Sequence, residues 1–233
     1  MKNITRVLTL LLVTIIVTGC QNTEQDIIKS IDYLNEPTYY NVFNTITCRD
    51  SNDNTTLELD ITNTFDEKTN LSERDISING EPYSSETIEV TDNQINRYYG
   101  YMVPNKDTEN SYYLKEWLKE SLELNDQNKN KYILLDKNYY INMIKNAKEY
   151  RKFNDSYEII VAKESIQKIL NQTTEDFIIE DDEIYIDVTL EKNNLEYTNT
   201  SFNSEKYGFC SYSFSFQTEF DEDNLTTIEK PEI

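Results

Sequence analysis

The sequence predicts an α+β fold, a curved antiparallel sheet packed on a few helices, and three observations carry that prediction. Segments in which apolar and polar residues alternate recur along most of the chain, which is the pattern of strands with one buried and one wet face. Apolar residues at helical spacing interrupt them in the middle of the chain, so the helices are grouped and do not alternate with strands as in βαβ units. Gly and Pro number only 4 each in 233 residues, too few for a linker-rich multidomain chain. The hydrophobic share is 37%, with 18 Tyr and 9 Phe, enough to build one core.

Charge and composition exclude several function classes. The net charge of −21 repels phosphate backbones, so nucleic acid is not a partner. It also repels an anionic lipid surface, so membrane attachment cannot come from a basic patch. The chain has no His. Ser-His-Asp and Cys-His catalysis and His-based metal sites are therefore impossible.

The N-terminus reads as an export signal. Lys2 and Arg6 precede an apolar run from Val7 to Val17, which Thr9 and Thr14 interrupt and Gln21-Asn22-Thr23-Glu24 closes. A membrane span needs about 20 apolar residues, while a secretory signal needs about 7–15. Val17-Thr18-Gly19-Cys20 resembles the lipobox of bacterial lipoproteins. That resemblance implies cleavage before Cys20, a diacylglycerol on its sulfur, and residence at the cell membrane on the extracytoplasmic side. Two acyl chains suffice for stable anchoring at about 0.8 kcal/mol per buried CH₂. Residues 1–19 are then the signal peptide, 20–38 a lipidated tether with a short helix, and 39–233 a single α+β domain. Removing Lys2 and Arg6 leaves a mature chain of charge −23.

The elements follow in order. Ile27, Ile28, Ile31 and Leu34 form one face of a short helix that Pro37 ends. Tyr40, Val42, Ile46 and Cys48 share one face of a strand, Asp50 to Asn54 turn the chain, and Leu57, Leu59, Ile61 and Phe65 return it as a hairpin. Three strands follow between Ile76 and Val103, with Asn79-Gly80 as a tight turn. Leu114, Trp117, Leu118 and Leu122 predict a helix. Asp136 caps another that carries Tyr140, Met143, Ile144, Ala147 and Tyr150. Tyr157 to Val161 is a strand, and Ile166, Ile169 and Leu170 mark a short helix. A meander closes the chain: Phe177–Ile179, Ile184–Leu190, Leu195–Phe202, Cys210–Phe220 and a last short strand around Ile228.

Candidate chemistry is sparse. Asp50, Asn52 and Asn54 have the 1-3-5 spacing of a calcium loop, but Thr55 replaces the required Gly and Ile61 the bidentate Glu, so no metal site is expected. Glu180-Asp181-Asp182-Glu183 and Asp221-Glu222-Asp223 offer paired carboxylates for a hydrolase, yet they fall at turns where water solvates them. No cofactor motif is present, and the chain does not read as an enzyme. Cys48 and Cys210 either form a disulfide, which an extracytoplasmic compartment permits, or stay as two buried thiols.

The order of strand, short helix and long meander over Ser156–Ile233, ending in Ile228-Glu229-Lys230-Pro231, resembles the lipoprotein-carrier-like and mycobacterial LppX-like lipoproteins. That resemblance implies an open half-barrel whose concave face holds a lipid or another apolar ligand. Candidate lining residues are Trp117, Tyr140, Met143 and Ile144, with Phe214 and Phe216 across from them. The alternative is a protein-interaction module of the cell surface, for envelope assembly or for phage or plasmid exclusion, with Tyr98, Tyr99 and Tyr101 as contacts.

Overall fold

The computed structural model describes residues 23–104, 112–153, 156–172, 177–218 and 228–231. Cys20 with its lipobox and the Asp221-Glu222-Asp223 run lie outside the described residues. Twelve strands make one sheet: β1 (Tyr39–Arg49), β2 (Thr55–Asp66), β3 (Leu71–Ile78), β4 (Glu81–Val90), β5 (Gln94–Pro104), β6 (Tyr112–Leu114), β7 (Leu118–Glu123), β8 (Glu149–Phe153), β9 (Ser156–Ala162), β10 (Glu183–Glu191), β11 (Asn194–Ser204) and β12 (Gly208–Gln217). The spatial order is β6-β5-β4-β3-β2-β1-β12-β11-β10-β9-β8, with β7 also paired to β5. All pairings are antiparallel, and among the described residues the two ends of the sheet do not join. Two meanders, β1–β7 and β8–β12, therefore meet along one seam, where β1 pairs with β12.

Turn chemistry explains the hairpins. Asn79 and Gly80 have φ of 52° and 76° between the paired residues Ile78 and Glu81. Lys192 and Asn193, at 50° and 70°, do the same between Glu191 and Asn194. Positive φ at both central positions is what a two-residue hairpin requires. In the first turn the Asp50 carboxylate accepts hydrogen bonds from the backbone N–H groups of Asn52 and Asn54 and from the Asn54 amide. Those bonds, the Asn54 side chain's first, hold its pKa below the ordinary carboxylate value. The 1-3-5 residues thus close a turn through one carboxylate and the N–H groups of the two asparagines.

Four short helices are described: α1 (residues 23–30), α2 (Asp126–Tyr132), α3 (Lys137–Lys145) and α4 (Lys163–Leu170), with a 3₁₀ turn over Asp32–Asn35. Asn125 and Asp136 cap α2 and α3 by accepting from the N–H groups of Asn128 and Tyr139. The apolar stripes of α1, α3 and α4 join the inner faces of β1, β2 and β9–β12 in one core that includes Ile27, Ile31, Val42, Ile46, Ile144, Ile159, Ile166, Leu170, Ile186 and Phe214. At its centre the Tyr140 and Tyr212 hydroxyls both donate to Asn44 Oδ1, at 3.0 and 2.7 Å. Cys48 and Cys210 face each other across the seam, Cα atoms 4.0 Å apart, and form a disulfide.

Three expectations are corrected. The segment from Leu114 to Leu122 forms strands β6 and β7. β5 would otherwise present a row of unpaired backbone groups, and pairing it outweighs a spacing that also suits a helix. Tyr150 lies on β8, because α3 ends at Lys145. Phe177–Ile179 makes only the single bridge Ile179–Ser204, and residues 228–231 are in no strand. Those last residues lie against the outer face of β4 and β5: Ile228 is buried, and Lys230 Nζ donates to Glu89 at 2.8 Å and sits 5.6 Å from the Tyr98 ring centre.

Candidate functional site

The inner face of β3, β4, β5 and β7 carries a row of alternating charge. Arg74 lies opposite Glu86, Arg97 is diagonal to Glu86, and Glu120 lies opposite Arg97. Arg97 Nε donates to Glu86 Oε1 and its Nη1 to Glu120 Oε2, both at 2.6 Å. The Arg97 guanidinium also lies over two aromatic rings, 5.0 Å from the centre of Tyr99 and 4.3 Å from that of Tyr132 on α2. Burial pulls the Arg97 pKa down, but Glu86 and Glu120 more than offset it, and the net shift is upward.

Arg74 is held differently. It is 6% exposed. Its Nη1 donates to the Gln172 carbonyl, just beyond α4, at 2.7 Å, and the nearer Glu86 oxygen is 3.8 Å away. Its Nε has no hydrogen-bond partner. Burial lowers its pKa first and most, against partial support from Glu86.

Around this row lies a pocket of about 370 Å³ between β3–β5 and the ends of α2 and α4. Arg74, Arg97 and Lys131 give it three cations, against the single carboxylate of Glu86 within its wall, and Tyr83, Tyr99, Tyr101 and Tyr132 supply rings. Tyr83 and Tyr101 stand edge to face at 5.7 Å and are 47% and 52% exposed, so they form its mouth. Tyr83 also lines a second groove of about 510 Å³, where Ile78, Pro82, Met102, Pro104 and Tyr112, with Asn79 and Glu81 at its side, make a more apolar wall.

The residues proposed from the sequence fall elsewhere. Tyr140, Met143, Ile144 and Phe214 are buried core, and Phe216 is partly buried against it. Tyr140 packs on Phe214 and Phe216 at 4.9 and 5.6 Å between ring centres. Trp117 sits half-buried on the link between β6 and β7. None of these six lines the pocket or the groove. The three tyrosines of β5 do not form one patch: Tyr98 is buried on the outer face, while Tyr99 and Tyr101 face the pocket. The Glu180–Glu183 run is occupied in structure. Asp181 accepts from the Asn203 N–H, Asp182 pairs with Lys163, and Glu183 pairs with Lys148. Among the described residues no group of acidic or Cys side chains could hold a metal ion, and no helix is long and apolar enough to cross a membrane.

The signal for the pocket was present in the sequence only as isolated charges. Arg74, Glu86, Arg97 and Glu120 are spread over 47 residues, and only the strand register aligns them.

No protein-family model and no curated protein sequence matches the chain. Among solved structures it is similar to lipoprotein LppX from Mycobacterium tuberculosis, at 9% identity over 84% of this chain and 94% of that one, with a TM-score of 0.40. It is similar also to LprF from Mycobacterium bovis, at 9% identity over 91% and 97%, with a TM-score of 0.41. The likeness at this level is one of layout.

Proposed function

We propose that this chain is a lipid-anchored, extracytoplasmic, non-catalytic binding protein that holds an amphiphile. Cys20 carries the diacylglycerol anchor. The polar end of the ligand sits in the pocket between β3–β5 and α2, and its apolar end lies in the groove of Ile78, Met102 and Pro104. The observation that supports this reading is the sharing of Tyr83 by a charged pocket and a more apolar groove. A ligand site of this kind is concave, with a few converging polar groups that fix orientation.

Native mass spectrometry of the purified chain, before and after organic extraction, tests the reading. A bound mass that extraction removes, and that is reduced when Met102 and Tyr83 are replaced by Ser, is the expected result. A chain without bound mass, in membranes from which it was purified directly, counts against it. The anchor is tested separately by the mass of the N-terminal peptide, which should carry a diacylglycerol on Cys20.

A further inference from the structure

We propose that the head group held in this pocket is anionic, a phosphate or a carboxylate, and that Arg74 is its principal contact. The proposal rests on the amphiphile reading above and adds the sign and chemistry of the polar end. The carboxylate of Glu86 serves two guanidinium groups. Arg97 takes one of its oxygens at 2.6 Å and has Glu120 in addition, while Arg74 is left 3.8 Å from the other oxygen. Arg74 is therefore a buried cation with a shared, distant counter-charge and an unused N–H on Nε. A buried charge without close pairing is unfavourable, and an arriving anion would relieve it. The guanidinium fork matches the paired oxygens of a phosphate or carboxylate.

The surroundings select the same sign. Lys131, exposed on α2, adds a third cation to the wall, and the rings of Tyr99 and Tyr132 hold Arg97 in place beside it. The chain as a whole carries −21, so long-range attraction cannot bring an anion in. At physiological salt, screening over about 8 Å confines the interaction to these local cations. A cationic head group would meet three like charges, offset only by Glu86 in the wall and Glu120 paired to Arg97 beside it.

The full chain in a non-ionic detergent, freed of co-purified lipid, can be titrated calorimetrically with hexyl phosphate, hexanol and inorganic phosphate. Hexyl phosphate should bind, with affinity falling at least tenfold in Arg74→Met and about threefold in Lys131→Gln. Arg74→Lys, which keeps the charge and loses the fork, should lie between Arg74→Met and the unaltered chain. Lys131→Gln, at an exposed position, carries the test if Arg74→Met does not fold. Inorganic phosphate binding as tightly as hexyl phosphate would support the anion site and defeat the amphiphile reading. Hexanol binding as tightly as hexyl phosphate, with both variants unaffected, would overturn the anion site and leave the amphiphile reading standing. No binding of hexyl phosphate would overturn the anion site.

Discussion

The two halves of the inner face solve the same problem in opposite ways. Over β9–β12 and β1, the inward positions are apolar or paired polar apart from the Ser204 hydroxyl at the end of β11, and α1, α3 and α4 close over them. The one polar hub, Asn44 with Tyr140 and Tyr212, is satisfied within the core. Over β3–β5 and β7, the charged row of Arg74, Glu86, Arg97 and Glu120 runs beside apolar inward residues such as Ile88 and Ile95, only α2 and the end of α4 approach, and Arg74 and its cross-strand neighbour Asn63 each keep a buried polar atom without a partner. The sealed half is built for stability. The open half retains unpaired polar capacity, and that is where a ligand can be accommodated.

The largest expected effect comes from alkaline pH acting on the sealed half. Burial raises the pKa of Tyr140 and Tyr212 well above the usual tyrosine value and pushes Tyr33 up to about 12. An unfolded tyrosine ionises near pH 10, as in model peptides, while the folded ones keep their protons. The unfolded state then binds fewer protons, so stability falls as pH rises above about 10, by up to about 1.4 kcal/mol per pH unit for each buried phenol. Urea midpoints at pH 9 and 11 measure this, and absorbance at 295 nm should show phenolate that appears only on unfolding. Tyr140→Ala should cost about 3–5 kcal/mol, the range for removing a large buried ring, and leave hexyl phosphate binding to the folded protein unchanged. Reducing the Cys48–Cys210 bond should cost about 2–5 kcal/mol, read as a lower urea midpoint in the presence of reductant.

The open half should respond the other way round. Arg97→Met leaves Glu86 and Glu120 without their shared partner and should cost about 1–3 kcal/mol, while weakening ligand binding more than any change in the sealed half. Equal loss of binding from Tyr140→Ala and Arg97→Met would erase the distinction between the halves. Lys230→Ala removes a partly exposed ion pair with Glu89 on the outer face and should cost less than about 1 kcal/mol. It serves as the control that touches neither half of the inner face.

Much of the sheet was legible from alternation alone. β1, β2, β10 and β12 bury the residues that period-two patterning selects, because one face of each is mainly apolar and the other more exposed. α3 was legible from its Asp136 cap and its stripe. The stretch from Leu114 to Leu122 was not, since Leu118 and Leu122 suit a helix turn as well as a strand, and the deciding factor, the unpaired edge of β5, is nonlocal. α2, Asp-Gln-Asn-Lys-Asn-Lys-Tyr, has no buried residue and so gave no periodic signal. The pocket was hidden for a related reason: apolar stripes were followed into the core, whereas this candidate site is lined by charges from several strands brought into line by register.

The seam has a consequence for the order in which the molecule is completed. A ribosome releases β1 early, but its second neighbour, β12, is made some 160 residues later. Until then one edge of β1 is open, and the N-terminal meander is an unfinished sheet with a template for any passing strand. β12, the last of the described strands to be synthesised, both fills that edge and brings Cys210 to Cys48. The covalent bond is thus a record of closure at the seam: a chain truncated before β12 cannot form it, and a chain that has it has brought β1 and β12 together.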